Sequence, residues 1–218
     1  MKFQSALKYT ASLFLLTIAN VGHTELITYT DRTAWESVGT VLFTEDFEGY
    51  RVDTSYAATP LNVGPFTLAT IGSSRFDNNF VDVPRFKYSG IPASFGNAAV
   101  SIYVEGPLAT DIIFNSPVNG FFADFLWPGN GISRPLRMTL SLLGGGTLAL
   151  SVPGVGATLE HFGFFSSDAI TSIRLSNGAN DGIMMDNIAV SAVPVPAAVW
   201  LFGSGLIGLI GIARRKTV

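Results

Sequence analysis

Three carboxylates have the type and spacing to do chemistry: Asp46 and Glu48, separated by Phe47, and Asp186, far along the chain in Ile183-Met184-Met185-Asp186-Asn187-Ile188-Ala189-Val190. A period of two groups Asp186 with Met184, Ile188 and Val190, so strand alternation sets a carboxylate on an otherwise apolar face. An ionised carboxylate is costly there unless a cation, an arginine or a proton compensates it. If the segment holding Asp46 and Glu48 pairs with this strand, three hard oxygen donors meet. Such donors suit Ca2+, which takes about six to eight oxygens. The same residues also fit a hydrogen-bonded or arginine-paired structural aspartate, or a pair of catalytic carboxylates.

Trp127 is a second candidate, for ligand binding. In Trp127-Pro128-Gly129-Asn130-Gly131 an aromatic ring at a strand end can present its face to a sugar, or pack with Phe121 and Phe125. The remaining chemistry is sparse. The chain has 2 His and no Cys, which excludes disulfides, thiolate metal sites and a cysteine nucleophile. Beyond the N-terminal region only His161 is left, too few for a zinc site, and no nucleophile-elbow motif accompanies it. Gly144-Gly145-Gly146 reads as a hairpin turn rather than a phosphate loop. No catalytic residue is assigned and a non-enzymatic role is expected, although a glycosidase needs only two carboxylates.

The elements that must position these residues are strands. Alternation is clear in Ala98-Ala99-Val100-Ser101-Ile102-Tyr103-Val104-Glu105 and across residues 136–143, and Gly144 to Gly146 turn that run into a partner at 147–152. Further strand candidates lie at 25–29, 41–48, 65–71, 79–83, 110–114, 118–127, 159–165, 171–175 and 183–191, separated by Gly, Pro, Asn and Ser clusters. One helix is expected over 32–38, capped by Asp31 and ended by Gly39. The fold class that follows is all-β, an antiparallel β-sandwich ectodomain with one short N-terminal helix.

Both ends of the 218-residue chain are apolar. Lys2 and Lys8 precede an apolar run over 9–19, the layout of a secretory signal that engages the Sec machinery, so residues 1–22 read as a signal peptide and 23–192 as the exported domain. Residues 197–213 carry no charge and are followed by Arg214-Arg215-Lys216. Seventeen residues at a helical rise of about 1.5 Å cover about 26 Å, enough to cross a bilayer. The basic stop holds the C-terminus in the cytoplasm and sends the rest outside. All 16 acidic residues but only eight of the 13 Lys and Arg lie between Glu25 and Asp186, leaving that region at −8. Such a field disfavours nucleic acid as a partner.

The segment 193–218 resembles the PEP-CTERM sorting signal of Gram-negative bacteria in three ordered blocks: Val193-Pro194-Val195-Pro196, then Ala-Ala-Val-Trp-Leu-Phe-Gly-Ser-Gly-Leu, then Ala213-Arg214-Arg215-Lys216. Pro194, Pro196, Arg214 and Arg215 match the pattern, while Val195 stands where the commonest form has Glu. The resemblance implies recognition by the membrane protease exosortase, an inner-membrane precursor, and delivery to the cell surface or an extracellular polysaccharide matrix. Two prolines fix an extended backbone that a protease groove can hold. The middle of the chain resembles, more loosely, ectodomains found ahead of such signals, through Asp31-Arg32-Thr33-Ala34-Trp35, Asp46-Phe47-Glu48, Phe162-Gly163-Phe164-Phe165 and Asp186-Asn187. That likeness implies a jelly roll whose first and last strands lie side by side, with polysaccharide a candidate ligand. The alternatives are a secreted carbohydrate-active hydrolase and a permanently anchored structural surface protein.

Overall fold

The computed structural model describes residues 24–72, 79–83, 93–104, 108–126, 136–152, 159–176 and 181–192. The expected signal peptide, the sorting segment 193–218 with its span at 197–213, and Trp127 lie outside them. Among the described residues no helix is long and apolar enough to cross a membrane.

Every strand pairing is antiparallel, as the alternation predicts. In chain order the strands are β1 (Leu26–Tyr29), β2 (Thr40–Glu45), β3 (Thr54–Ser55), β4 (Leu61–Asn62), β5 (Phe66–Ile71), β6 (Phe80–Asp82) and β7 (Ala99–Val104). They continue with β8 (Ala109–Leu126), β9 (Leu136–Leu142), β10 (Thr147–Val152), β11 (Glu160–Ser176) and β12 (Asp181–Ala192). Two long strands organise them. The first half of β8 pairs with β5 and its second half with β12, while β11 follows it on the other edge. β11 in turn pairs with β1 in its first half and with β9 in its second. The ladder therefore splits into two layers, consistent with a β-sandwich, and residues of both, such as Met138, Ile173, Phe121 and Met185, share one apolar core.

Sequence patterning separates 110–114 from 118–127 and 159–165 from 171–175, but each pair is one continuous strand. The breaks in hydrophobicity are bends: Asn115, Ser116 and Pro117 are exposed, and the β11 register shifts between Phe165 and Ile170. The glycine hairpin is present, with Gly145 and Gly146 at φ 87° and 84° between β9 and β10.

The helix α1 spans Arg32–Glu36 and is capped as expected, the Asp31 side chain accepting the Ala34 amide at 2.7 Å. It ends before Gly39, which has another role: a Cβ there would lie 2.5 Å from Ser191 Oγ and 2.6 Å from the Phe165 ring. Gly39 and Gly120 clear space for Phe165, and Gly163 for Phe122. Trp35 stacks on Phe165 with ring centroids 5.1 Å apart and donates its indole N–H to the Phe164 carbonyl at 3.0 Å. This aromatic contact docks α1 on the outer face of β8 and β11.

The first and last strands only partly meet the side-by-side expectation. β12 pairs with β2, which carries the chain into Asp46, whereas β1 pairs with β11.

Candidate functional site

The parity of β12 differs from simple alternation. Asn187 takes a left-handed backbone at φ 51°, and the register against β8 shifts between Asp186 and Ala189. Ile188 and Val190 therefore join Ile183 and Met185 in the main core, while Asp186 stays on the outer face with Met184. The carboxylate is still among apolar neighbours, but they belong to two small outer clusters. One is Trp35, Phe122, Phe165 and Ala189 beneath α1; the other is Phe95, Ala99, Leu126 and Met184 beneath the short 3-10 turn Ala93–Phe95. The site is the seam between these two covers.

A row of polar side chains crosses the seam over three strands. His161 on β11 is the register partner of Asp124 on β8, and Asp124 is the register partner of Asp186 on β12. Asp124 is 6% exposed and Asp186 1%, so two aspartates face each other almost without solvent. Asp124 Oδ1 lies 2.6 Å from His161 Nδ1, and its Oδ2 accepts the Asn187 side-chain amide at 2.9 Å. Asp186 Oδ1 accepts the Asn187 backbone N–H at 2.7 Å. Burial pushes the Asp186 carboxyl up to about 9, against the pull of the Asn187 amide, and the charges of Asp124, Glu48 and Asp46 add to the rise.

The turn after β2 brings the other predicted carboxylates to the same place. Phe47, at φ 55°, is fully buried in the main core and pins the turn. Glu45 accepts the Phe47 amide at 2.7 Å and Asp46 Oδ1 the Glu48 amide at 3.1 Å. Glu48 Oε1 accepts the backbone amides of Asn97 and Ala98, tying this turn to the 3-10 cover. Gly96 makes that tie possible, since a Cβ there would sit 2.0 Å from Glu48 Oε1. Arg32 approaches from α1 but is engaged elsewhere, with Glu36 Oε1 at 2.8 Å and the Asn187 carbonyl at 2.9 Å.

Asp46, Glu48 and Asp186 are thus electrostatic neighbours, as strand pairing predicts; of the two structural alternatives, Asp186 is hydrogen-bonded, to the Asn187 amide, and among the described residues no arginine pairs with it. Among the described residues no three His, Cys, Asp or Glu side chains are spaced as a ready-made metal site. Sequence reasoning missed Asp124. Its signal is a single acid inside Phe121-Phe122-Ala123-Asp124-Phe125, as anomalous as Asp186 in its own strand. His161 is not isolated either, because the register of β11 on β8 supplies its carboxylate.

No family model and no curated protein matches the chain. Among solved structures, the CBM22-1 xylan-binding domain of Paenibacillus barcinonensis Xyn10C is similar at 14% identity and TM-score 0.41, over 72% of this chain and 97% of that one. The lectin binding domain of lectinolysin, complexed with Lewis b, is similar at 8% identity and TM-score 0.38, over 65% of this chain and 97% of that one. The catalytic domain of a GH87 alpha-1,3-glucanase is similar at 16% identity and TM-score 0.38, over 67% of this chain and only 29% of that one. Likenesses this distant assign this chain neither a family nor a ligand.

Proposed function

We propose that this chain is an exported, non-catalytic protein that exosortase sorts to the cell surface or extracellular matrix of a Gram-negative bacterium, where its jelly-roll sandwich meets polysaccharide. The observation that carries the reading is the ordered triple of Pro194-x-Pro196, the uncharged run 197–213 and Arg214-Arg215-Lys216. Its placement supports the reading too: β12 ends at Ala192, so the Pro-x-Pro motif follows directly on the last strand. The Sec machinery delivers the chain and the apolar run holds the precursor in the inner membrane. Polysaccharide is the ligand class expected at that destination, with Trp127, next after β8, as the ring to stack on it.

The test is the mass of the mature surface form in a host that encodes an exosortase. Loss of Arg214 to Lys216 is expected, together with membrane retention of a Pro194→Ala/Pro196→Ala variant. A surface form that keeps Arg214 to Lys216 overturns the sorting reading in favour of a permanent anchor. Binding to the host's own polysaccharide, weakened in Trp127→Ala, tests the ligand.

One observation favours the hydrolase reading. Asp124 and Asp186 face each other with one carboxyl held up, the pattern by which a general acid is kept protonated beside a charged partner. Glu48 fits that role poorly because Oε1 is committed to two backbone amides. Polysaccharide hydrolysis lost in both Asp124→Asn and Asp186→Asn would establish an enzyme; binding without turnover supports the non-catalytic reading.

A further inference from the structure

A strand at the margin of a sheet leaves a row of backbone N–H and C=O groups open to another strand, and sheets blunt such margins with short strands, bulges and charges. Among the described residues β1, β2, β3, β4 and β10 each pair with a single neighbour. Four of these are blunted. β1 has four residues and β3 and β4 two each, while β2 ends on Glu45 and is bulged at Leu42, where its register on β12 shifts. β10 carries none of these devices: Thr147–Val152 runs six residues in unbroken register with β9 and holds neither a charge nor a proline. At the hairpin the Leu142 amide donates to the Gly146 carbonyl, so alternation turns the backbone groups of Leu148, Leu150 and Val152 toward β9. Those of Thr147, Ala149 and Ser151 face the open side.

We infer that β10 pairs with β10 of a second copy of this chain, antiparallel about a two-fold axis at Ala149, so that one sheet runs through both copies. The strand's own sequence selects that occupant. Thr147-Leu148-Ala149-Leu150-Ser151 reads nearly alike in both directions, and a two-fold contact must be self-complementary. In this register Leu148 of each copy meets Leu150 of the other, Thr147 meets Ser151, and Ala149 meets Ala149. Leu148 and Leu150 pack on the main core yet stay part-exposed at its margin, and the pairing covers them. Charge points the same way. The domain is acidic between Glu25 and Asp186, which sets most of two like surfaces against each other, but residues 138–159 carry no charge at all. Two six-residue edges make a joint smaller than a standard interface, so a dimer of micromolar affinity is expected.

The test is sedimentation equilibrium of the full chain in density-matched detergent, joined to cysteine crosslinking, for which the chain offers a cysteine-free background. A monomer–dimer equilibrium is expected for the parent. Ala149→Lys sets two like charges directly opposite at the axis and is expected to weaken the dimer at least about tenfold. Ala149 is exposed, so the Tm of this variant is expected to match that of the parent. Residues that exchange both backbone bonds have Cα atoms about 5.5 Å apart, within disulfide reach. Ala149→Cys is therefore expected to give a disulfide-linked dimer on mild oxidation, whereas Thr44→Cys, exposed on the bulged edge β2, stays monomeric. Crosslinking uses a small substitution and decides the matter without the lysine variant. A parent that remains monomeric, a dimer that survives Ala149→Lys through the apolar run 197–213, or crosslinking as strong at Thr44→Cys as at Ala149→Cys overturns the inference. Neither readout depends on processing at Pro194-x-Pro196, so the result stands apart from how the chain is sorted.

Discussion

The two halves of β8 each bury an aspartate opposite a neighbouring strand, and they treat it in opposite ways. In the first half Asp111 meets Arg174 of β11 through two hydrogen bonds, 2.7 and 2.8 Å, and the carboxylate lifts the Arg174 guanidinium further above its usual range. In the second half Asp124 meets Asp186 of β12, and the nearest partners are a histidine and an asparagine. The first is an internally balanced pair of a kind that holds two strands in register. The second has no lysine or arginine partner among the described residues; burial holds the Asp186 carboxyl up to about 9, so a proton and hydrogen bonds take the place of the ion pair.

The largest effect expected is from loosening only the second half. Trp35→Ala removes the stacking on Phe165 and the bond to the Phe164 carbonyl, at a cost of about 3–5 kcal/mol. Because α1 also brings Arg32 to the Asn187 carbonyl, hydrogen exchange in this variant is expected to rise around Asp124 and Asn187 before it rises around Asp111. Equal acceleration in both halves would show that the seam is not a separate unit.

Next in size is Asp186→Asn, expected to stabilise the protein near neutral pH by about 1–3 kcal/mol in urea, since burial holds the Asp186 carboxyl up to about 9 and folding must supply it with a proton; the gain is expected to fade below about pH 4. Its counterpart, Arg174→Met, strips the cation from Asp111 and makes the first half resemble the second. Arg174 is about half exposed, so a loss near 1 kcal/mol is expected, shrinking in high salt. The two substitutions should move the urea midpoint in opposite directions; a shared sign would remove the contrast. The smallest effect is from His161→Gln, which exchanges a 47% exposed hydrogen-bonding partner of Asp124 for an amide, with a change of about 0.5 kcal/mol or less in Tm-derived stability.

Much of the fold is legible in the amino-acid sequence. The period of two locates most strands, the glycine run locates the β9–β10 hairpin, and Asp31 marks the start of α1, because these depend on neighbours within a few residues. The proximity of Asp46 and Glu48 to Asp186 also follows from expecting their strands to pair. Breaks in patterning mislead where β8 and β11 bend, since a bend and a chain reversal both show as a polar interruption. Alternation assigns the wrong faces of β12 past Asp186 because a single left-handed residue, Asn187, shifts it, and asparagine at that position carries no mark of the shift in sequence.

The sequence by itself determined an all-β, cysteine-free, acidic chain with apolar ends, since composition, alternation and apolar length are properties of segments. It also showed that Asp186 is out of place among apolar residues. Only the tertiary structure decided what stands opposite it. Register between β8, β11 and β12 is set by bulges and by the glycines that admit Phe122 and Phe165, contacts between residues far apart in the chain. That register turns three scattered residues, His161, Asp124 and Asp186, into one row, and gives Asp111 an arginine while leaving Asp186 without one among the described residues.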